Sequence, residues 1–146
     1  MLIKNNLFAH TLAWGVAVVG ISNVKIINNT FYDIRVYGAG IRGERGTNGI
    51  IKNNIFMNIR DQAYLINDPS NFIDYNLTFN CGTPKVTGPH DIVNLKDPMF
   101  NNPAKNDFSL LQGSPCIDAG DPADKPPACG GKRIDMGAFE KCDNLK

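Results

Sequence analysis

Arg35 lies six residues past Asn29, and Arg60 lies six residues past Asn54. Leu12 holds the same place past Asn6. Two residues further along each stretch stand Trp14, Tyr37 and Gln62, with Ala13, Val36 and Asp61 in between. Where equal offsets bring residues side by side, stacked guanidiniums grip the carboxylates of an acidic sugar, and adjacent aromatic faces suit the apolar face of a pyranose ring. Like charges held together need an anion, and Asp61, beside Arg60, is the candidate. The competing account is a set of ordinary exposed loop residues around a partly buried Trp14. Downstream, Arg42 and Asn67 share an offset, and Glu44 and Asp68 fall close behind them. Two carboxylates on neighbouring turns have the makings of an acid and a nucleophile for glycoside hydrolysis, although acids in surface turns are commonplace. The expected substrate-binding set is therefore Trp14, Arg35, Tyr37, Arg42, Glu44, Arg60 and Asp61, with no catalytic residue assigned.

These residues face one another only if the chain repeats, and it does. Four segments share one pattern: Ile3-Lys4-Asn5-Asn6-Leu7-Phe8, Ile26-Ile27-Asn28-Asn29-Thr30-Phe31, Ile51-Lys52-Asn53-Asn54-Ile55-Phe56 and the weaker Asp74-Tyr75-Asn76-Leu77-Thr78-Phe79. The second Asn of each recurs after 23, 25 and 22 residues. Its neighbours recur with it, as Gly15, Gly38 and Ala63 nine residues on and Val18, Ile41 and Ile66 twelve residues on. Each unit reads as a short apolar strand, an Asn-Asn corner, a second strand carrying the Phe, a polar turn and a third strand. Three short strands per unit, stacked at about 4.8 Å, predict an all-β fold, a right-handed parallel β-helix of about three to four coils. Phe8, Phe31, Phe56 and Phe79 are assigned to one inward row, and Val18, Ile41 and Ile66 to another. The row Asn6, Asn29, Asn54 and Asn76 has a structural cause: Asn accepts left-handed backbone at a corner, and its amide bonds the next coil. A leucine-rich repeat is excluded, because its Leu-x-x-Leu-x-Leu strand is nowhere present.

Composition agrees, with 18 Asn, 15 Ile and 14 Gly against two Glu in 146 residues, which excludes a helical bundle and fits one domain. Lys and Arg number 15 against 14 Asp and Glu, so there is no electrostatic footprint for nucleic acid or an anionic membrane. The apolar run from Leu12 to Ile21 is interrupted by Trp14, Gly15 and Gly20 and lacks a cleavage pattern, and no stretch approaches the ~20 apolar residues of a membrane span. Residues 80 to 146 lose the repeat and hold eight of the nine prolines. They are expected as an irregular C-terminal cap over the last coil, giving coils over 1–80 and a loop-rich capping segment over 81–146 of the same domain. Within it, Asp118, Asp121 and Asp124 make calcium the one conceivable cofactor; EF-hand spacing is absent, so turn-forming aspartates are preferred and no cofactor is expected. Cys81, Cys116, Cys129 and Cys142 lack a CxxC pair, which argues against structural zinc and leaves disulfides or free thiols open.

The segment SNVKIINNTFYDI, Ser22 to Ile34, resembles the parallel β-helix repeat of pectate-lyase-like proteins. Three later motifs, DPMF (Asp97 to Phe100), DFSLLQGSPCIDAGDP (Asp107 to Pro122) and RIDMGAFE (Arg133 to Glu140), resemble the closing segment of bacterial right-handed β-helix surface proteins. The resemblance covers residues 3 to 140 and implies the C-terminal portion of a longer exported protein, extracellular or at the cell surface. It further implies a coil surface that binds polysaccharide, acidic by the arginines, or alternatively part of a polysaccharide lyase or glycoside hydrolase completed by upstream coils. A lyase of this architecture needs a base, usually Lys or Arg, beside an Arg or calcium that neutralises the uronate, and Arg35 and Arg60 are the positions for it. With Ile3, Leu7 and Phe8 opening the first coil, self-association through that end is also expected.

Overall fold

Short apolar runs alternate with residues that accept left-handed backbone, so the chain turns before any run reaches helical length. In the computed structural model, which describes residues 1–42 and 46–142, those runs are strands, three to a coil. The first coil comprises β1 (Leu2–Lys4), β2 (Leu7–Thr11) and β3 (Trp14–Val19). The second comprises β4 (Lys25–Ile27), β5 (Thr30–Ile34) and β6 (Tyr37–Arg42), and the third β7 (Ile50–Lys52), β8 (Ile55–Ile59) and β9 (Gln62–Ile66). A fourth turn starts with β10 (Phe72–Asp74) and β11 (Leu77–Phe79), and Ile92–Val93 adds β12. Equivalent strands pair in parallel, as a first sheet β1-β4-β7-β10, a second β12-β11-β8-β5-β2 and a third β3-β6-β9. The molecule is an all-β parallel solenoid.

Each Asn-Asn corner divides two tasks that the sequence reading placed on one residue. The left-handed backbone belongs to the first position, Asn5, Asn28, Asn53 and, in the fourth turn, Tyr75, with φ of 58°, 51°, 57° and 57°. The second position runs the ladder: the amide of Asn6 donates to Asn29 Oδ1 at 3.2 Å, that of Asn29 to Asn54 at 3.1 Å and that of Asn54 to Asn76 at 3.0 Å. The amides of Asn28 and Asn53 reach to the Asp135 carbonyl at 2.9 Å and the Asp124 carboxylate at 2.7 Å, with a longer bond of 3.4 Å from Asn53 to Asn28 Oδ1. Donors in this ladder all run one way, and the run closes on Asp91, whose Oδ1 accepts from the Asn76 backbone at 2.7 Å and amide at 3.2 Å. Tyr64 Oη and the Gly88 N–H both donate to Asp91 Oδ2 at 2.9 Å. A carboxylate is an acceptor only, so it ends the series.

Inside the coils Phe8 stacks on Phe31 at 5.0 Å between ring centroids, and Phe31 on Phe56 at 4.7 Å. Val18, Ile41 and Ile66 line the inner side of the third sheet as expected. Phe79 does not continue the Phe row. Thr78 pairs with Phe56 and Phe79 with Met57, so Phe79 is one residue out of step and points outward. In a strand one residue of slip exchanges the two faces.

The outer face of the second sheet is apolar as well, through Ala9, Tyr32, Ile55, Met57, Leu77 and Phe79. The C-terminal segment meets this face as well as the end of the last coil. Residues 81–94 close the last coil, with Val86 beside Ile66 and Ile73, Gly88 against the backbone of Ile73 and Asp74, and β12 paired on β11. The rest of the C-terminal segment lies along the flank of the solenoid. An antiparallel pair, β13 (Phe100–Asn102) and β14 (Asp107–Leu110), and then Cys116 and Met136 bury that second face. A parallel sheet is stable when both faces are covered, and the apolar outer row had to be met by some part of the chain. Cys129 and Cys142 form a disulfide, while Cys81 and Cys116 are free.

Candidate functional site

A second row of left-handed residues, His10, Asp33, Asn58 and Asn80, bends the chain near the ends of β2, β5, β8 and β11, with φ of 56°, 52°, 59° and 50°. The next residue in two of these coils, Ile34 or Ile59, turns into the core and is 1% exposed. Arg35 and Arg60 then turn out again. Alternation thus leaves a groove of about 420 Å3, with Asp33, Asn58 and Asn80 along one side and Arg35 and Arg60 along the other. The backbone N–H of Arg60 donates to Ile34 at 3.0 Å and that of Arg35 to Thr11 at 3.1 Å, which fixes the two arginines in adjacent coils.

Both arginines are exposed, and among the described residues neither guanidinium has a hydrogen bond or ion pair. Asp61 is exposed and pairs with neither, so the expected counter-ion is not engaged. Two like charges at one strand spacing repel by roughly 1 kcal/mol in water-like surroundings. The row stops at two. Its fourth place is Gly82, where any side chain would collide with the Asp61 carbonyl, and its first is Leu12. On the opposite side Asp33 Oδ2 lies 2.8 Å from His10 Nδ1, and the Asn80 amide donates to Asn58 Oδ1 at 2.7 Å. This row was missed in the sequence, although His10, Asp33, Asn58 and Asn80 all stand four residues past the ladder Asn. Cys81 completes the floor; burial pushes its thiol up to about 11, and it donates to the carbonyls of Phe56 and Phe79, so it stays a thiol at neutral pH.

Trp14, Tyr37 and Arg42 come together elsewhere, on the outer face of the third sheet. Trp14 and Tyr37 pair across β3 and β6 with ring centroids 4.5 Å apart, and the Arg42 guanidinium lies 5.5 Å from the Trp14 ring. The indole covers Gly40, where a side chain would meet the ring. The single face expected from the offsets is therefore two neighbouring features, an arginine groove and an aromatic-cation stack. Glu44 lies outside the described residues. Asp68 is bound by the hydroxyl and backbone N–H of Ser70, which hold its carboxyl below the usual range.

The three aspartates weighed for calcium fasten the C-terminal segment. Asp118 accepts the Arg133 N–H at 2.8 Å, and Lys52 Nζ reaches Asp121 at 2.8 Å and Asp124 at 2.9 Å. Among the described residues no group of three or more His, Cys, Asp or Glu is arranged to hold a metal ion. Burial opposes the charged forms of Lys52 and Asp121, yet their mutual hydrogen bonds and charges hold Lys52 above its usual value of 10.5 and Asp121 below its usual 3.8. For Asp121, the depressed value means a contribution present above pH 3.8 and lost as pH falls through the folded value. For Lys52, the raised value means a contribution present below 10.5 and lost as pH rises through the folded value. Lys52→Met is expected to lower stability by about 1 to 3 kcal/mol between those limits and to shrink the acid-side loss. Urea midpoints followed across pH check this; an unaltered acid limb in the variant contradicts it.

Residues 1–102 match the family described as the right handed beta helix region. No curated protein and no solved structure matches the chain. Among the described residues no helix is long and apolar enough to cross a membrane. A match over more than two thirds of the chain, together with parallel sheets built from equivalent strands of successive coils, places this protein in the right-handed β-helix family.

Proposed function

We propose that the chain is a noncatalytic polysaccharide-binding module whose ligand lies on the coil surface. The observation that carries this reading is the pair Arg35 and Arg60, one coil apart on one side of a groove, with no anion engaged among the described residues. Guanidiniums with that freedom suit an acidic sugar. The neighbouring Trp14 and Tyr37 rings, with Arg42 against the indole, offer an amphipathic surface for a further sugar ring. The Cys129 to Cys142 disulfide supports an exported, extracellular setting.

Binding of polygalacturonate and alginate by the parent chain and by Arg35→Ala with Arg60→Ala, at low and high salt, tests the proposal. The parent is expected to bind in a salt-dependent way and the double variant about ten- to a hundredfold more weakly. Equal binding by both, or none by either, removes the groove from consideration.

One observation favours the lyase alternative. Asp33, which lines the groove, lies 2.8 Å from His10 Nδ1, and in the tautomer that donates from Nδ1 the Nε2 atom is the one left for proton transfer. An unsaturated product from polygalacturonate or alginate, lost in His10→Ala, is the expected result on that reading; no product from the parent eliminates it.

A further inference from the structure

The arginine row is two residues long, and that length selects the ligand. A carboxylate is planar, and one guanidinium fork takes a single lone pair on each of its two oxygens within that plane. A second fork must lie in that same plane to use the lone pairs left over, whereas oxygens on a tetrahedral centre let two forks approach in different planes. Leu12 and Gly82 flank the pair, so a third arginine rung for a run of carboxylates is missing. A tetrahedral ester has three terminal oxygens and accepts a fork from each of two guanidiniums. Resting on the polysaccharide reading above, we infer that the groove holds a single tetrahedral oxyanion ester on a sugar, a sulfate or phosphate monoester, between Arg35 and Arg60.

The opposite side of the groove fits the sugar rather than the anion. Asp33 is the only carboxylate lining it among the described residues, and it is engaged by His10 at 2.8 Å, out of the arginine row. Asn58 and Asn80 bond each other through one amide hydrogen, leaving the remaining Asn58 donors and the Asn80 carbonyl to face hydroxyls. Anion on one side and hydroxyls on the other give a ligand lying across the bend.

Dextran derivatives test this on one backbone: dextran sulfate, phosphorylated dextran and carboxymethyl dextran of matched charge density, neutral dextran, and polygalacturonate. The proteins are the parent, Arg35→Ala with Arg60→Ala, and a charge-matched control, Lys105→Ala with Lys132→Ala, whose residues are exposed and outside the groove. Melting curves confirm that both variants fold. The expected result is that one of the two esters binds at least tenfold tighter than carboxymethyl dextran, that a monoester oligosaccharide competes for it, and that only the arginine variant loses the preference. Whether sulfate or phosphate binds tighter names the ester. Equal or tighter binding of the carboxylated polymers overturns the inference while leaving polysaccharide binding in place. An equal loss in the lysine control also overturns it, by reducing the preference to diffuse charge. If none of the polymers binds, both readings fall.

Discussion

Phe56→Ala is expected to lower stability by about 3 to 5 kcal/mol, the largest effect of any single truncation considered for this chain. The ring is fully buried, stacks on Phe31 at 4.7 Å and meets the edge of Tyr64 at 5.6 Å. Above it the backbone of Gly38 comes so close that a side chain there would strike the Phe56 ring, so the third sheet has been drawn in to fit the phenyl group. Removing the ring leaves a void that neither the glycine nor the rigid stack can fill by small movements. Phe8→Ala offers the internal comparison, because Phe8 stacks on one side only and is half-buried. Its loss should be markedly smaller. Chemical denaturation of both variants decides the matter, and equal losses would mean that the stack does not act as a continuous core.

Asn54→Leu is expected to destabilise by about 2 to 5 kcal/mol although leucine is the more apolar residue. Asn54 Oδ1 accepts from the backbone N–H of Asn29 at 2.9 Å and from its amide at 3.1 Å. Its own amide donates to the carbonyls of Ile26 at 2.9 Å and Lys52 at 3.0 Å and to Asn76 Oδ1 at 3.0 Å. Leucine satisfies none of these groups, and Asn54 is completely buried, so water cannot replace it without opening the corner. Asn53→Gly should behave differently: it keeps the left-handed backbone and loses two bonds to the C-terminal segment and a long one, 3.4 Å, to Asn28 Oδ1. A loss for Asn54→Leu no greater than for Asn53→Gly would contradict the separation of corner and ladder.

The repeat itself was legible because a solenoid turns sequence period into spatial contact. Residues at equal offsets from Asn6, Asn29 and Asn54 are neighbours by construction, so the Phe stack, the Val18 row and the adjacency of Arg35 and Arg60 all follow from counting. The Phe row failed in the fourth turn, where residue type was matched ahead of the offset: equal counting puts Thr78 on Phe56. Phe79 stands three places past its Asn and the other Phe residues two, and a strand converts that single step into the opposite face. The Asn pair was readable as a corner, but not which member takes positive φ, since both have the same chemistry.

What the chain's order along the sequence could determine was therefore the length of a coil, its three strands and the stacking of equal offsets on the next coil. Tertiary structure alone decided the rest. Residues beyond about 98 have no period, and only the apolar outer row of Tyr32, Ile55, Met57 and Leu77 dictates that they lie along the flank. Asp61 follows Arg60 in sequence yet pairs with neither arginine, and Trp14 and Tyr37 sit within two residues of the arginine row yet face another surface. In each case the direction of a side chain is set by the bend at the left-handed residue before it. That bend becomes visible only when the backbone has closed into a coil.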